Sequence, residues 1–85
     1  MGMLDGKRII ITGAGSGIGR ATSQLAADEG AAVLAVDLAE SVQETAAMIT
    51  EAGGQALAVQ ADVSDEGAVR GYVAEAVSAF GGLDG

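Results

Sequence analysis

Residues 7–21 read KRIIITGAGSGIGRA, from Lys7 to Ala21. An isoleucine run stops at Ile11, and every second residue from Gly13 to Gly19 is then glycine. Glycine costs about 0.5–1 kcal/mol relative to alanine inside a regular element, so bare backbone is needed directly after a strand-like segment. Working outward from this stretch, the chain makes three similar passes. Lys7 to Thr12 reads as a short apolar strand, and Gly17 to Glu29 as a helix with Ile18, Ala21, Leu25 and Ala26 on one face, stopped by Gly30. Ala31 to Asp37 is a second strand. A capping box at Ser41 and Glu44 opens a second helix, with Val42, Ala46 and Ile49 inward and Gly53-Gly54 at its end. Gln55 to Val63 is a third strand. Ser64-Asp65-Glu66 offers an N-cap for a third helix striped by Val69, Val73, Val77 and Phe80, and Gly81-Gly82 stops it. Strands apolar on both faces, alternating with helices, imply an α/β fold: a parallel sheet covered by helices.

Composition narrows the function. The chain has 85 residues, enough for one small domain (residues 1–85) and not for two. Hydrophobic residues make up 49%, which excludes a disordered chain. No apolar run approaches the roughly 18 residues of a membrane span, and the start, Met1 to Asp5, lacks the basic and apolar regions of a secretory signal. Gly6 stands where a myristoylation signal needs Ser or Thr. A cytoplasmic location is therefore expected, although the absence of cysteine leaves the redox compartment open. Histidine is absent as well, which removes the commonest metal ligand and the commonest general base, and no metal site is expected. Twelve acidic and four basic residues give a net charge of −8, which argues against nucleic acid or an anionic membrane as a partner. An anionic ligand must be held by local dipoles against this field.

The glycine loop supplies such dipoles. It lies at the turn from the first strand into the first helix, whose N-terminus carries unpaired N–H groups and about half a unit of positive charge. A phosphate reaches those groups only where no side chain intervenes. A tight turn needing positive φ alone would require a single glycine, so phosphate binding is the better reading. A P-loop is excluded, because no Lys-Ser or Lys-Thr follows the last glycine. The strict G-x-G-x-x-G spacing also fails, since Ile18 occupies the third glycine's place.

The run Thr12-Gly13-Ala14-Gly15-Ser16-Gly17-Ile18-Gly19 resembles the T-G-x-x-x-G-x-G motif of the short-chain dehydrogenase/reductase family at every specified position. Gly6-Lys7, Asp62-Val63 and Leu83-Asp84, where the family's fourth strand usually begins, look like the family too. The resemblance covers essentially the whole chain but about the first third of a typical family domain. It implies the βαβαβα N-terminal portion of a three-layer Rossmann-type parallel sheet, strand order 3-2-1, truncated before the fourth strand. It also implies a cofactor site built from Gly13, Gly15, Ser16, Gly17, Ile18, Gly19, Asp37, Leu38, Asp62 and Val63. Asp37, about 20 residues beyond the loop at the tip of the second strand, can accept two hydrogen bonds from the adenosine ribose hydroxyls. The same carboxylate would repel the 2′-phosphate of NADP by roughly 1–3 kcal/mol at about 5 Å, a preference of about 5- to 150-fold for NAD. NADP-preferring relatives usually place a basic residue in the loop or just after the acid, and here those positions hold Ser16 and Leu38. NAD is the expected cofactor. Asp62, ending the third strand, would hydrogen-bond the adenine amino group, or form an Asx-type cap toward Ser64, and Val63 would line the adenine pocket. Ser16 could touch the ribose, cap the first helix, or both. Arg20 and Arg70 read as solvated helix residues, and Tyr72 as a core residue.

Family members work through a Tyr-x-x-x-Lys pair supported by serine and asparagine. The only tyrosine is Tyr72 and the only lysine is Lys7, and four residues beyond Tyr72 stands Ala76. The chain is therefore expected to be the cofactor-binding piece of an oxidoreductase that moves hydride between NAD and an alcohol/carbonyl pair, inactive by itself. With the first strand lacking a neighbour on one side, self-association is expected. Two other readings compete. An S-adenosylmethionine methyltransferase also pairs a G-x-G-x-G loop with acids after the second and third strands, but normally has an acid where Ile11 stands. A non-catalytic nucleotide-sensing module is the other; a Tyr-x-x-x-Lys downstream in the reading frame would end it.

Overall fold

Three parallel strands and three helices alternate along the chain in the computed structural model, which describes residues 4–82 and 84. They are β1 (Arg8–Thr12), α1 (Gly17–Asp28), β2 (Ala32–Asp37), α2 (Val42–Glu51), β3 (Gln55–Gln60) and α3 (Glu66–Phe80). The sheet runs β1-β2-β3 with β2 central, the expected 3-2-1 order. Ile10 pairs with Leu34, and Leu34 with Leu57, so the strands stay in step and their side chains sort by parity. Ile9, Ile11, Val33, Ala35, Ala56 and Ala58 share one face with Ala26 and Val42, from α1 and α2. Ile10, Leu34, Val36, Leu57 and Val59 share the other with Tyr72 and Ala76 of α3. Residues 32–36 of β2 are buried throughout because both faces and both edges are covered. The flanking strands β1 and β3 are only half-buried.

Several local expectations change in the assembled fold. On α1 the inward residues are Ser23 and Ala26, whereas Ile18 and Leu25 are 86% and 62% exposed. The cause is Gly19: a Cβ there would collide with the Gly13 carbonyl oxygen, so α1 approaches the sheet along its small residues and its larger apolar side chains turn outward. On α3 the buried positions are Tyr72 and Ala76, flanked by Val69, Val73 and Phe80, and Val77 is exposed. A strict every-fourth-residue stripe drifts by about 40° per step, which carries Val77 about 80° away from Val69. Tyr72 is core, as read from the sequence.

The capping box is not formed. Ser41 is already in helical conformation and makes no side-chain cap, and Glu44 reaches Arg20 at 3.4 Å instead. Strand β3 ends at Gln60, three residues short of Val63, because Asp62 accepts from both the amide (2.8 Å) and the hydroxyl (2.6 Å) of Ser64 and turns the chain out of the ladder. Asp65, not Ser64, caps α3, accepting from the Ala68 amide at 3.1 Å. On the side of β1 away from β2, the Asp84 amide donates to the Arg8 carbonyl at 2.6 Å, and the Asp84 carboxylate accepts from the Arg8 amide and Nε at 2.8 and 2.9 Å. Among the described residues this is the one backbone partner on that edge, and Leu83, expected to open a further strand with Asp84, lies outside them. No helix among the described residues is long and apolar enough to cross a membrane.

Candidate functional site

The loop from Gly13 to Ser16 joins the C-terminal end of β1 to α1, and parallel strands bring the ends of β2 and β3 to the same side of the sheet. Each of its peptide groups has an assigned direction. The Ala14 amide donates to the Val36 carbonyl at 3.1 Å and its carbonyl accepts from the Thr45 hydroxyl at 2.7 Å. The Gly15 amide donates to Asp37 Oδ2 at 2.8 Å, and the Gly15 carbonyl accepts from Arg20 Nη2 at 2.8 Å. Gly13 and Gly17 take φ of +67° and +57°, the left-handed region in which a side chain is strained. A Cβ on Gly15 would lie 2.7 Å from Ser41 Oγ and 2.8 Å from Asp37 Oδ2, so the loop lies flush against both.

Ser16 is the N-cap of α1 but its side chain makes no capping hydrogen bond, which removes the capping role considered from sequence. The first-turn amides of Gly17, Ile18 and Gly19 therefore retain the unpaired donors of a helix start, at its positive end. An anionic oxygen placed there would meet these donors, which makes the start of α1 a candidate cradle for one.

Asp37 ends β2 beside that cradle. Its carboxylate accepts from Gly15 through Oδ2 and from the Ala39 amide (3.1 Å) through Oδ1, which leaves acceptor capacity on both oxygens. Hydrogen bonds from the amides of Ala39, Gly15 and Leu38 hold its carboxyl below the usual carboxylate value, outweighing the opposing effect of desolvation. Asp62 lies in the loop after β3, where the Ser64 hydroxyl and then the Ser64 amide lower its carboxyl in the same way. The Asx-turn alternative is thus realised at Asp62. Ile18, Leu38 and Val63 are exposed apolar side chains at this same end of the sheet.

Two residues of the site were not foreseen. Arg20 was expected to be a solvated helix residue. Instead its guanidinium lies part-buried behind the loop, donating to Gly15 O, to Ser41 O at 3.1 Å and to Thr45 Oγ1 at 2.9 Å. Thr45 is fully buried among Val42, Ala46 and Ile49. A polar residue on an otherwise apolar helix face was the available signal for Thr45. Arg70 does behave as read, exposed and paired with Glu66 at 3.6 Å. A separate groove of about 430 Å³ lies between the C-terminal halves of α1 and α2, lined by residues such as Gln24, Asp28 and Met48. Gly53 and Gly54 line it beyond the end of α2, but no helix N-terminus opens onto it, so it lacks the donors that the start of α1 offers. Among the described residues no group of three or more His, Cys, Asp or Glu could hold a metal ion.

The family model for short chain dehydrogenases matches residues 7–85. Over its full length the chain is 45% identical to a 2,5-dichloro-2,5-cyclohexadiene-1,4-diol dehydrogenase of Sphingobium indicum, covering 33% of that protein. It is 44% identical to a cis-4-hydroxycyclohexanecarboxylate dehydrogenase of Sinomonas cyclohexanicum, over 99% of this chain and 34% of the relative. Among solved structures, carveol dehydrogenase from Mycobacterium avium in complex with NAD superposes with a TM-score of 0.92 at 30% identity, over 99% of this chain and 35% of that one. The chain thus spans about a third of the length of the relatives it matches.

Proposed function

The chain belongs to the short-chain dehydrogenase family, and on that premise we propose that it holds the adenosine and pyrophosphate half of NAD for an enzyme that moves hydride between NAD and an alcohol/carbonyl pair. The observation that carries this reading is the Gly15 amide bonded to Asp37 Oδ2 at 2.8 Å. That bond holds the Asp37 carboxylate against the loop that opens α1, which supports reading it as the acceptor for the ribose hydroxyls.

The residues fit the cofactor in charge and shape. The pyrophosphate would lie over the amides of Gly17, Ile18 and Gly19, where the helix dipole offsets part of the repulsion from a chain of net charge −8. Gly13, Gly15 and Ser16 form the wall of that cradle. The open acceptor sites of Asp37 would receive the ribose hydroxyls, and Leu38 and Val63 would flank the adenine, with Asp62 able to accept from its amino group. NAD, when bound, supplies the hydride acceptor. NADP is disfavoured by Asp37, and Leu38 brings no positive charge to offset the 2′-phosphate. Tyr72 is buried beside Ala76 and Leu34 rather than at the mouth of the site, so the proton donor for the reaction is not supplied by this tyrosine.

Titration of the full gene product with NAD and NADP by calorimetry tests the reading. NAD should bind more tightly, and Asp37→Ala should narrow the difference. Equal affinity of the wild type for the two dinucleotides would remove the basis for choosing NAD, and tighter binding of S-adenosylmethionine than of either would replace the reading.

A further inference from the structure

We propose that Arg20 is a positioning residue for the pyrophosphate cradle: its guanidinium ties the glycine loop and the start of α2 into one body and aims a loop amide at the ligand. The proposal rests on the dinucleotide reading above. Arg20 Nη2 donates to the carbonyls of Gly15 and Ser41 at 2.8 and 3.1 Å, and Nε donates to Thr45 Oγ1 at 2.9 Å. The Thr45 hydroxyl passes the tie on to the Ala14 carbonyl at 2.7 Å. Three carbonyls, at Ala14, Gly15 and Ser41, are thereby drawn toward one guanidinium–hydroxyl pair. In a trans peptide the C=O and N–H point in opposite directions. Holding Gly15 C=O inward therefore turns the Ser16 N–H away from the guanidinium, toward the side where an anion would lie. Holding Ala14 C=O on Thr45 likewise sends the Gly15 N–H to Asp37, the contact observed at 2.8 Å.

Only a planar fork with several fixed donors can serve acceptors on both sides of one loop at once. The charge also matters. Lys7 and Arg8 lie at the opposite end of β1 and Arg70 on the exposed side of α3, so Arg20 is the one basic residue among the four that stands behind the cradle. Its contact with Glu44 is loose, at 3.4 Å with the glutamate largely exposed, and does not account for this arrangement.

The test uses the full gene product and three probes, NAD, ADP-ribose and adenosine, the last as a competitor. Arg20→Met should weaken NAD and ADP-ribose by about tenfold or more, since a charged donor to several acceptors is lost, and leave adenosine within about twofold. Arg20→Lys should recover only part of the loss, because a point charge cannot bridge the three acceptors. Thr45→Val, of similar shape without the hydroxyl, should move affinities in the same direction, and the double variant should be little worse than Arg20→Met, as expected for one network. Arg70→Met is the control. Unchanged NAD affinity in Arg20→Met, equal losses for adenosine and ADP-ribose, or full recovery by Arg20→Lys would each overturn the proposal. If Arg20→Met does not fold, Thr45→Val decides: selective loss of the pyrophosphate ligands supports the tie, and unchanged affinity refutes it. A wild type that binds none of the three probes overturns the dinucleotide reading itself, and this proposal with it.

Discussion

Gly19→Ala pits two physical effects of opposite sign against each other. Gly19 lies in the first turn of α1, and alanine in a helix is favoured over glycine by about 1 kcal/mol. Propensity by itself therefore predicts a stabilised protein. The packing predicts the reverse. A Cβ at this position would overlap the Gly13 carbonyl oxygen and lie 2.5 Å from its carbon and 3.1 Å from Ala14 Cα. Carbon atoms in contact prefer about 3.5–4.0 Å, and all three obstacles are backbone, so no rotamer change relieves the overlap. Either α1 or the loop must shift by roughly 1 Å. Overpacking of a tight site costs about 1–3 kcal/mol and occasionally more; an overlap with backbone belongs at the upper end. After the propensity gain, a net loss of about 2 kcal/mol is expected, a sizeable part of the 5–15 kcal/mol that holds a domain together. Because the displaced atoms carry the cradle amides, NAD affinity should fall with it. Urea unfolding of the full gene product, followed by far-UV circular dichroism and paired with NAD titration, measures both. Gly71→Ala is the reference, since a Cβ there meets nothing within 4 Å in the middle of α3, and it should stabilise by about 0.5–1 kcal/mol. If Gly19→Ala is as stable as the wild type, or tracks Gly71→Ala, the close approach of α1 to the loop is wrong.

Asp37→Ala should reduce the preference for NAD over NADP from about 5- to 150-fold toward parity, while lowering NAD affinity as well because the Gly15 amide loses its acceptor; paired dissociation constants check both, and an unchanged ratio refutes the charge argument. The Asp37 carboxyl titrates below its unfolded value of about 3.9, so its contribution is complete above that pH and is lost as pH falls through the lower folded value. Urea midpoints of wild type and Asp37→Asn should accordingly differ by a constant amount near neutrality and converge below about pH 4; a gap that persists at pH 2 would contradict this. Asp84→Ala removes the bonds to the Arg8 amide and guanidinium and should lower the denaturant midpoint slightly, with the guanidinium part of the loss shrinking in high salt, as midpoints with and without 1 M sodium chloride would report; no change of midpoint at low salt would refute the contact.

What the sequence determined by itself was whatever neighbours in the chain decide. Apolar runs at Ile9 to Ile11 and Ala32 to Val36, broken by glycines and alternating with helical periodicity, sufficed for element order and a parallel sheet. The motif from Thr12 to Gly19, read with Asp37, pointed to a phosphate cradle and its adjoining carboxylate, because both follow directly from a strand-to-helix turn and a strand tip. The tertiary structure decided whatever depends on which elements pack against one another. Ile18 and Leu25 match a helical apolar stripe as well as any residues do, yet the backbone of Gly13 forces α1 to present Gly19, Ser23 and Ala26 instead. Ser41 and Glu44 have capping-box spacing, but Ser41 already has helical φ and ψ and makes no cap, and its carbonyl accepts from Arg20, more than 20 residues earlier. Arg20 itself follows a glycine on a helix and reads as solvated, since nothing local announces that Gly15, Ser41 and Thr45 converge on its guanidinium. Periodicity and turn chemistry are local and additive, whereas the choice of which face is buried, and which donor finds which acceptor, is settled only when the layers come together.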